Sequence, residues 1–202
     1  MAKPVKAVVG YSRSGKTHVA DMLRDRGYRY YAGRDYLVEL AKQNERGTGR
    51  DELVEYANQL RADEGADYLM RPTKDILRSI EADPEAAGLV VDSIRNPGEI
   101  EFLKRELGAV VIFVDSDDEL RWERTKANPK ERDPENRYEF IGLTAIDKGI
   151  GQPITGQNIA GCVELADITI TNNGTFDELR DQVNELFEGP GLVEGRRSPE
   201  SF

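Results

Sequence analysis

A glycine-rich segment that ends in Lys16 and Thr17 carries the clearest chemistry in this sequence. Residues 10–17 read GYSRSGKT, which is the G-x-x-x-x-G-K-[ST] pattern of a P-loop. Such a loop turns backbone N–H groups toward phosphate oxygens, while its lysine reaches the β- and γ-phosphates and its threonine ligates Mg²⁺. The pattern predicts binding of ATP or GTP with Mg²⁺ through Gly10, Ser12, Arg13, Ser14, Gly15, Lys16 and Thr17.

The elements needed to position a P-loop surround this motif. An apolar run at residues 5–9 predicts the strand before it, and helical spacing of apolar residues follows it. Further short apolar runs alternate with helical spacing and predict strands at 28–31, 89–91, 110–114 and 168–171. This alternation predicts an α/β fold, a P-loop NTPase with three α/β/α layers and about five parallel strands.

The expected organisation is one domain with two additions. Residues 1–188 are predicted to form a P-loop kinase-like domain, with an acceptor-binding insertion at about 36–85 and a lid at about 117–150. The last residues, 189–202, are rich in glycine, proline and charge, which is typical of a disordered tail.

The amino-acid composition limits the cellular compartment and the kinds of binding partner that we expect. The net charge of −10 argues against a nucleic-acid partner, because surfaces that bind nucleic acid are usually basic. A single cysteine, Cys162, fits a reducing compartment, and no apolar run has the length of a membrane span. We therefore expect a cytoplasmic protein that binds a small-molecule acceptor and no membrane, with a homodimer left open.

Two charged residues follow the third predicted strand, at the sheet edge where ligands bind in such folds. Asp92 is predicted to position Mg²⁺ together with Thr17, and a helix cap or turn is the alternative role. Arg95 is predicted to clamp a phosphate or the substrate, and a surface ion pair with Glu99 is the alternative. Asn96 is expected to cap the helix that follows.

Asp35, after the second strand, stands where an acceptor group could approach the γ-phosphate. It is predicted to accept a proton or orient the acceptor, and capping a helix over residues 36–43 is an equally favoured alternative. Arginines of the following insertion could hold the acceptor, although each one alone is expected to be solvated: Arg46, Arg50 and Arg61.

A segment dense in charge, residues 117–137, is interpreted as a mobile lid rather than an ordinary surface helix. Arg121 and Arg124 share a helix face, so Arg121 is predicted to contact the nucleotide and Arg124 to act in catalysis. Asn172 and Asn173, after the last strand, complete the predicted nucleotide-binding set.

These motifs together resemble the nucleoside monophosphate kinase superfamily, over most of residues 5–187. GYSRSGKT is joined by DSIRNPGE at 92–99, the arginine-rich segment and ADITITNNGT at 166–175, and the last of these lies near the ATP base in the superfamily. Dephospho-coenzyme A kinase-like proteins and phage-type deoxynucleoside monophosphate kinases are the most similar. The stretch GQNIAGCVELAD at 156–167 also resembles a P-loop domain fused to some deoxycytidylate deaminases, but no zinc-deaminase signature is present.

The resemblance implies phosphoryl transfer from ATP to a (deoxy)nucleoside monophosphate, with dephospho-coenzyme A as the second acceptor. One departure concerns the acceptor, because many monophosphate kinases carry an arginine where this chain has Tyr36, Leu37 and Val38. A P-loop nucleotide sensor or slow NTPase that acts through a partner protein is therefore the alternative from another class.

Overall fold

Five parallel strands form the centre of the computed structural model, which describes residues 2–130 and 133–188. The strands are β1 (Val5–Gly10), β2 (Tyr28–Ala32), β3 (Gly88–Asp92), β4 (Val110–Asp115) and β5 (Ile168–Thr171), in the order β2-β3-β1-β4-β5. The β1 strand is central and pairs with β3 on one side and with β4 on the other. The residues that follow each strand, where the site is expected, therefore all lie at the carboxyl ends of the strands, on the same side of the sheet.

Helices cover both faces of this sheet. Their bounds are α1 (Lys16–Arg24), α2 (Gly33–Gln43), α3 (Arg50–Glu64), α4 (Thr73–Glu81), α5 (Pro97–Leu107), α6 (Asp118–Ala127), α7 (Arg137–Asp147), α8 (Ile159–Val163) and α9 (Phe176–Glu188). A short 3₁₀ turn, Tyr68–Met70, lies between α3 and α4. Apolar residues of α1 and α9 pack on one face, and those of α2 to α5 and α8 pack on the other. The predicted α/β fold with three layers and five parallel strands is confirmed.

The β1 strand shows why a continuous apolar run predicts a central strand. Val8 joins the core beneath α1 and α9, whereas Val5, Ala7 and Val9 join the core on the opposite face. Apart from the half-buried Lys6, side chains on both sides of the strand are buried, so both alternating sets are mostly apolar.

The two additions take helical form. The expected insertion contains most of α2, all of α3 and α4 and the 3₁₀ turn, and the expected lid contains α6 and α7. The tail at 189–202 and Arg132 of the expected lid lie outside the described residues. One boundary was wrong: α2 begins at Gly33, three residues before the expected start, and its N-cap is Ala32. Asp35 therefore lies within the first turn and makes no side-chain cap.

Candidate functional site

The P-loop connects β1 to α1. At Gly15, just before α1, its backbone has a left-handed conformation that favours glycine. Gly15 has a φ of +100°, and a Cβ there would lie 2.2 Å from Nδ2 of Asn172. At the other end of the loop, a Cβ on Gly10 would lie 2.4 Å from the carbonyl oxygen of Val114. The loop is thus packed tightly against β4 and the segment after β5, which holds its backbone in place.

Lys16 is the P-loop cation expected to meet the phosphates, and the hydrogen bond found for its ammonium group is to a backbone carbonyl. Its Nζ donates to the carbonyl oxygen of Tyr11 at 3.2 Å. Burial, and then the positive charge of Arg95, lower the pKa of Lys16 to about 8, although Asp92 and Asp147 oppose the shift. A cation in this setting is stabilised by any anion that binds beside it, so the loop fits a nucleotide polyphosphate.

The residues expected to hold Mg²⁺ lie on neighbouring elements. Asp92 ends β3 and is 4% exposed, and its carboxylate accepts the Tyr30 hydroxyl at 3.1 Å and the Ser93 N–H at 2.5 Å. Thr17 is exposed in the first turn of α1. A buried carboxylate and a threonine hydroxyl are oxygen donors that suit Mg²⁺, so this pair fits the ion.

Arg95 forms its ion pair with a residue that sequence reasoning missed. Its Nη1 lies 3.1 Å from Oδ1 of Asp147, the last residue of α7, and Oδ2 of Asp147 accepts the N–H of Ser12 in the P-loop at 3.3 Å. The alternative of a side-chain pair with Glu99 was wrong, because Glu99 accepts the backbone N–H of Arg95 instead. Asp147 therefore joins α7 to both the P-loop and the loop that carries Arg95.

The burial of Asp147 becomes visible in the structure, on one face of α7. The buried residues of α7 are Phe140, Thr144 and Asp147, which recur at helical spacing on a single face. A carboxylate on the buried face of a helix needs a polar partner, so this position indicates a site rather than a solvated surface.

Arg121 on α6 underlies the P-loop. It is fully buried, and its Nη1 donates to the carbonyl oxygen of Ser12 at 3.1 Å. Its guanidinium lies 5.0 Å from the ring centre of Tyr11 and 5.4 Å from that of Phe140. Trp122, the next residue, packs its ring 5.5 Å from that of Phe140. These contacts fasten α6 to both the loop and α7.

Three more of the predicted site residues lie against the P-loop or belong to it, and a fourth lies apart from it. Arg124 donates to the carbonyl oxygen of Asn172 at 2.8 Å, and Nδ2 of Asn172 donates to the carbonyl oxygen of Ser14 at 2.8 Å. Arg13 donates to the carbonyl oxygen of Asn128 at 2.9 Å and forms an ion pair with Asp133. Asn173 is exposed and accepts the N–H of Asp117 at 3.0 Å.

A cavity of about 540 Å³ opens beside this site. We call it the arginine-lined cavity, and its walls are Gly33, Arg34, Leu37, Arg50, Leu53, Val54, Ala57, Arg61, Leu69, Ser93, Arg95, Lys130, Asp133, Asp147 and Gln157. Apolar side chains of α2 and α3 line one part, while Arg95 and Asp147 form the boundary with the P-loop. Asp35 is exposed and does not line the cavity.

The arginines of the insertion differ from one another. Arg61 was expected at the surface, which is wrong: its side chain is 2% exposed and lies 2.8 Å from the carboxylate of Glu99. Arg50 lines the cavity, and burial lowers its pKa while Asp147 opposes the shift. Arg46 lies over the ring of Tyr56 at 4.3 Å.

The fold and the loop together define a P-loop nucleotide-binding protein of the α/β class. A family model described as an AAA domain matches residues 7–141, and the chain belongs to that family. Over residues 2–130 and 133–188, no helix combines the length and the apolar character needed to cross a membrane.

Archaeal UPF0200 proteins are similar to this chain. One from Pyrobaculum aerophilum is 28% identical over 90% of this chain and 95% of its own length. One from Pyrococcus horikoshii is 26% identical over 48% of this chain, and that match spans only 50% of the relative. The matched part thus amounts to about half the length of some of the curated relatives.

Two solved structures have a similar fold. The crystal structure of TT1252 from Thermus thermophilus has a TM-score of 0.58 at 21% identity, covering 95% of this chain and 100% of that one. A sugar kinase from a Janibacter species has a TM-score of 0.51 at 13% identity, covering 93% of this chain and 96% of that one. At these identities the likeness establishes the fold.

Proposed function

We propose that this protein is an ATP- and Mg²⁺-dependent phosphotransferase that acts on a small phosphorylated acceptor. A (deoxy)nucleoside monophosphate is the favoured acceptor, and dephospho-coenzyme A is the second. The observation that carries the proposal is the arginine-lined cavity, which meets the P-loop at Arg95 and Asp147. A cavity with cations at that boundary and an apolar wall suits a ligand that has a phosphate and a planar, weakly polar group.

The proposed roles follow from position. The P-loop, with Arg121, Asn172 and Asn173 around it, holds the nucleotide, and Thr17 and Asp92 hold Mg²⁺. The metal, when bound, neutralises charge on the phosphates. Lys16 and Arg124 stabilise charge on the transferring phosphoryl group.

Acceptor handling is assigned to two further residues. Arg95 holds the acceptor phosphate, a role supported by its place on the wall shared by the cavity and the P-loop. Asp35 is proposed to orient the acceptor from the first turn of α2, next to Gly33 and Arg34, which line the cavity while Asp35 itself does not.

A nucleotide sensor or slow NTPase is the second candidate. It is favoured by one observation: two arginines of the cavity, Arg61 and Arg95, already form ion pairs with Glu99 and Asp147. An arginine paired in this way has less attraction left for an acceptor phosphate. A sensor would bind ATP and pass the signal to a partner protein.

The deciding experiment measures ADP release from ATP–Mg²⁺ in the presence of nucleoside monophosphates, nucleosides and dephospho-coenzyme A. A kinase shows low ATPase activity that rises when its acceptor is added, and Lys16→Ala abolishes that rise. Tight ATP binding with no stimulation by any acceptor would sink the kinase proposal and favour the sensor.

A pair of variants on α3 links the activity to the cavity. Val54→Phe places an aromatic ring in the cavity wall, whereas Gln59→Phe makes the same kind of change at an exposed position of the same helix. We expect Val54→Phe to remove acceptor stimulation while ATP binding is retained, and Gln59→Phe to preserve both.

A further inference from the structure

Asp147 makes contacts that a bound phosphate would also make. One carboxylate oxygen accepts a P-loop N–H, from Ser12 at 3.3 Å, and the other lies 3.1 Å from the guanidinium of Arg95. Backbone amides of a P-loop and an arginine guanidinium are donors typical of a phosphate site. The carboxylate is 3% exposed, so it lies within the site rather than at its margin.

The charges around Asp147 agree with this interpretation. Its negative charge acts on Lys16, where it raises the pKa against the effect of burial, and on Arg50, where it does the same. Asp147 therefore supplies a negative charge to three cationic side chains, the third being Arg95. A phosphoryl group entering among them would meet a carboxylate of the same sign.

We propose that Asp147 fills an anion subsite between the P-loop and the arginine-lined cavity, and that a phosphoryl group displaces it. The ligand is a phosphoryl oxygen, from either the γ-phosphate of the nucleotide or the phosphate of the acceptor. Because Asp147 ends α7, its displacement releases this lid helix from Ser12 and Arg95. The acceptor source rests on the proposed function, whereas the γ-phosphate source requires only that the P-loop binds a nucleoside triphosphate.

Asp147→Asn tests this competition, since it removes the charge and keeps the shape and one acceptor oxygen. Equilibrium binding is measured by calorimetry for three probes with Mg²⁺: the β,γ-imido analogue of ATP, ADP, and a nucleoside monophosphate. We expect the probe that fills the subsite to bind about tenfold more tightly to the variant, an ordinary size for the coupling of two competing ligands. Glu106→Gln, an exposed charge removal on α5, should change none of the three affinities.

The pattern across probes identifies the source. A gain for the imido analogue alone assigns the subsite to the γ-phosphate, and a gain for the monophosphate alone assigns it to the acceptor. If ADP and the imido analogue gain affinity equally, the charge of Asp147 acts on both nucleotides from a distance. That result would overturn the proposal that a phosphoryl group displaces Asp147. Unchanged or weaker binding of every probe also overturns it, because Asp147 would then serve only to hold the site together.

Two controls keep the result interpretable. Thermal unfolding with and without the probes shows whether Asp147→Asn is folded. If it is not folded, Asp147→Ser replaces it, and the same change in affinity is expected. Since binding is measured without turnover, a protein that proves not to be a kinase can still show the γ-phosphate result. Failure of the proposed function and failure of the subsite are therefore distinguishable.

Discussion

The guanidinium of Arg61 on α3 and the carboxylate of Glu99 on α5 lie 2.8 Å apart, and both side chains are shielded from solvent. The other oxygen of Glu99 accepts the backbone N–H groups of Arg95 and Asn96, at 2.6 and 3.1 Å. One carboxylate thus joins the insertion to the loop that presents Arg95. The backbone of Arg95 is therefore held by a carboxylate that is itself paired with a helix of the insertion.

Removing one partner of this pair should be costly. Arg61→Met leaves Glu99 as an uncompensated buried charge, so we expect the free energy of unfolding to fall by about 3–5 kcal/mol. The double variant Arg61→Met/Glu99→Gln removes both charges and should lose clearly less. Urea denaturation of the single and double variants measures the difference, and equal losses would contradict the buried ion pair.

Nucleotide affinity should depend on pH through Lys16. Its pKa of about 8 in the free protein means that the ammonium is lost as pH rises above that value, whereas bound phosphates favour the charged form. We expect affinity for the imido analogue to fall above about pH 8, by up to about tenfold per pH unit. Calorimetry in buffers of different ionisation enthalpy should show proton uptake on binding there, and Lys16→Arg should show neither effect.

The same lowered pKa makes stability change with pH in the opposite direction to nucleotide affinity. Between about 8 and its ordinary value of 10.5, the unfolded chain holds more protons at Lys16 than the native state does. The contribution of Lys16 to the free energy of unfolding therefore rises with pH across this interval. Comparing urea denaturation of the wild type and Lys16→Met at two pH values isolates this contribution, and a difference that does not change with pH argues against the lowered pKa.

Asn172 and Asn173 provide a matched pair for the nucleotide site. Asn172 is buried and donates to the carbonyl oxygen of Ser14, so Asn172→Ala should cost about 1–2 kcal/mol of unfolding free energy and weaken ATP binding. Asn173 is exposed, so Asn173→Ala should change stability by less than about 0.5 kcal/mol.

The choice of ligand separates bracing of the loop from contact with the base. If Asn172 only supports the P-loop, Asn172→Ala weakens ATP and inorganic tripolyphosphate equally. A loss confined to ATP would show instead that Asn172 contacts the nucleoside part, which the resemblance to monophosphate kinases implied.

Substitutions at Asp92 and Asp35 should differ in their effect on the Mg²⁺ dependence of the proposed activity. Asp92 is buried at the end of β3 and is proposed to position Mg²⁺, so Asp92→Asn should lower apparent Mg²⁺ affinity by about 10–100-fold. Asp35→Asn should leave the Mg²⁺ dependence unchanged and lower kcat, by about 100-fold or more if Asp35 accepts a proton. Steady-state rates across a Mg²⁺ titration measure both, and an unchanged kcat would remove Asp35 from the proposed catalytic set.

Local patterns in the sequence were sufficient to predict the sheet and the P-loop. The run at 5–9 is apolar apart from Lys6, as suits a strand buried on both faces, and GYSRSGKT identifies the loop through Gly10, Gly15 and Lys16. Asn96 caps α5 with Pro97 in the first turn, as expected from their types and order. Each of these predictions depends on residues that are close together in the chain.

Arg61 and Asp147 could not be placed in the same way. Arg61 lies on a helix with many charged residues, and its partner Glu99 is far along the chain, so its burial results from tertiary packing. Asp147 becomes meaningful only when α7 brings it to Ser12 and Arg95. The sequence alone is sufficient to predict the P-loop, whereas the residues around the cavity are brought together by contacts between distant segments of the chain.

The contact between the rings of Trp122 and Phe140 gives this protein an intrinsic fluorescence probe. Trp122 is the single tryptophan of the chain, and it joins α6 to α7 at the helix that ends in Asp147. The tryptophan fluorescence of the protein therefore comes from one place, the contact between α6 and α7. Any ligand that separates α7 from α6 will change that emission in the unlabelled wild-type protein, so stopped-flow mixing can measure the rate of this separation after nucleotide is added.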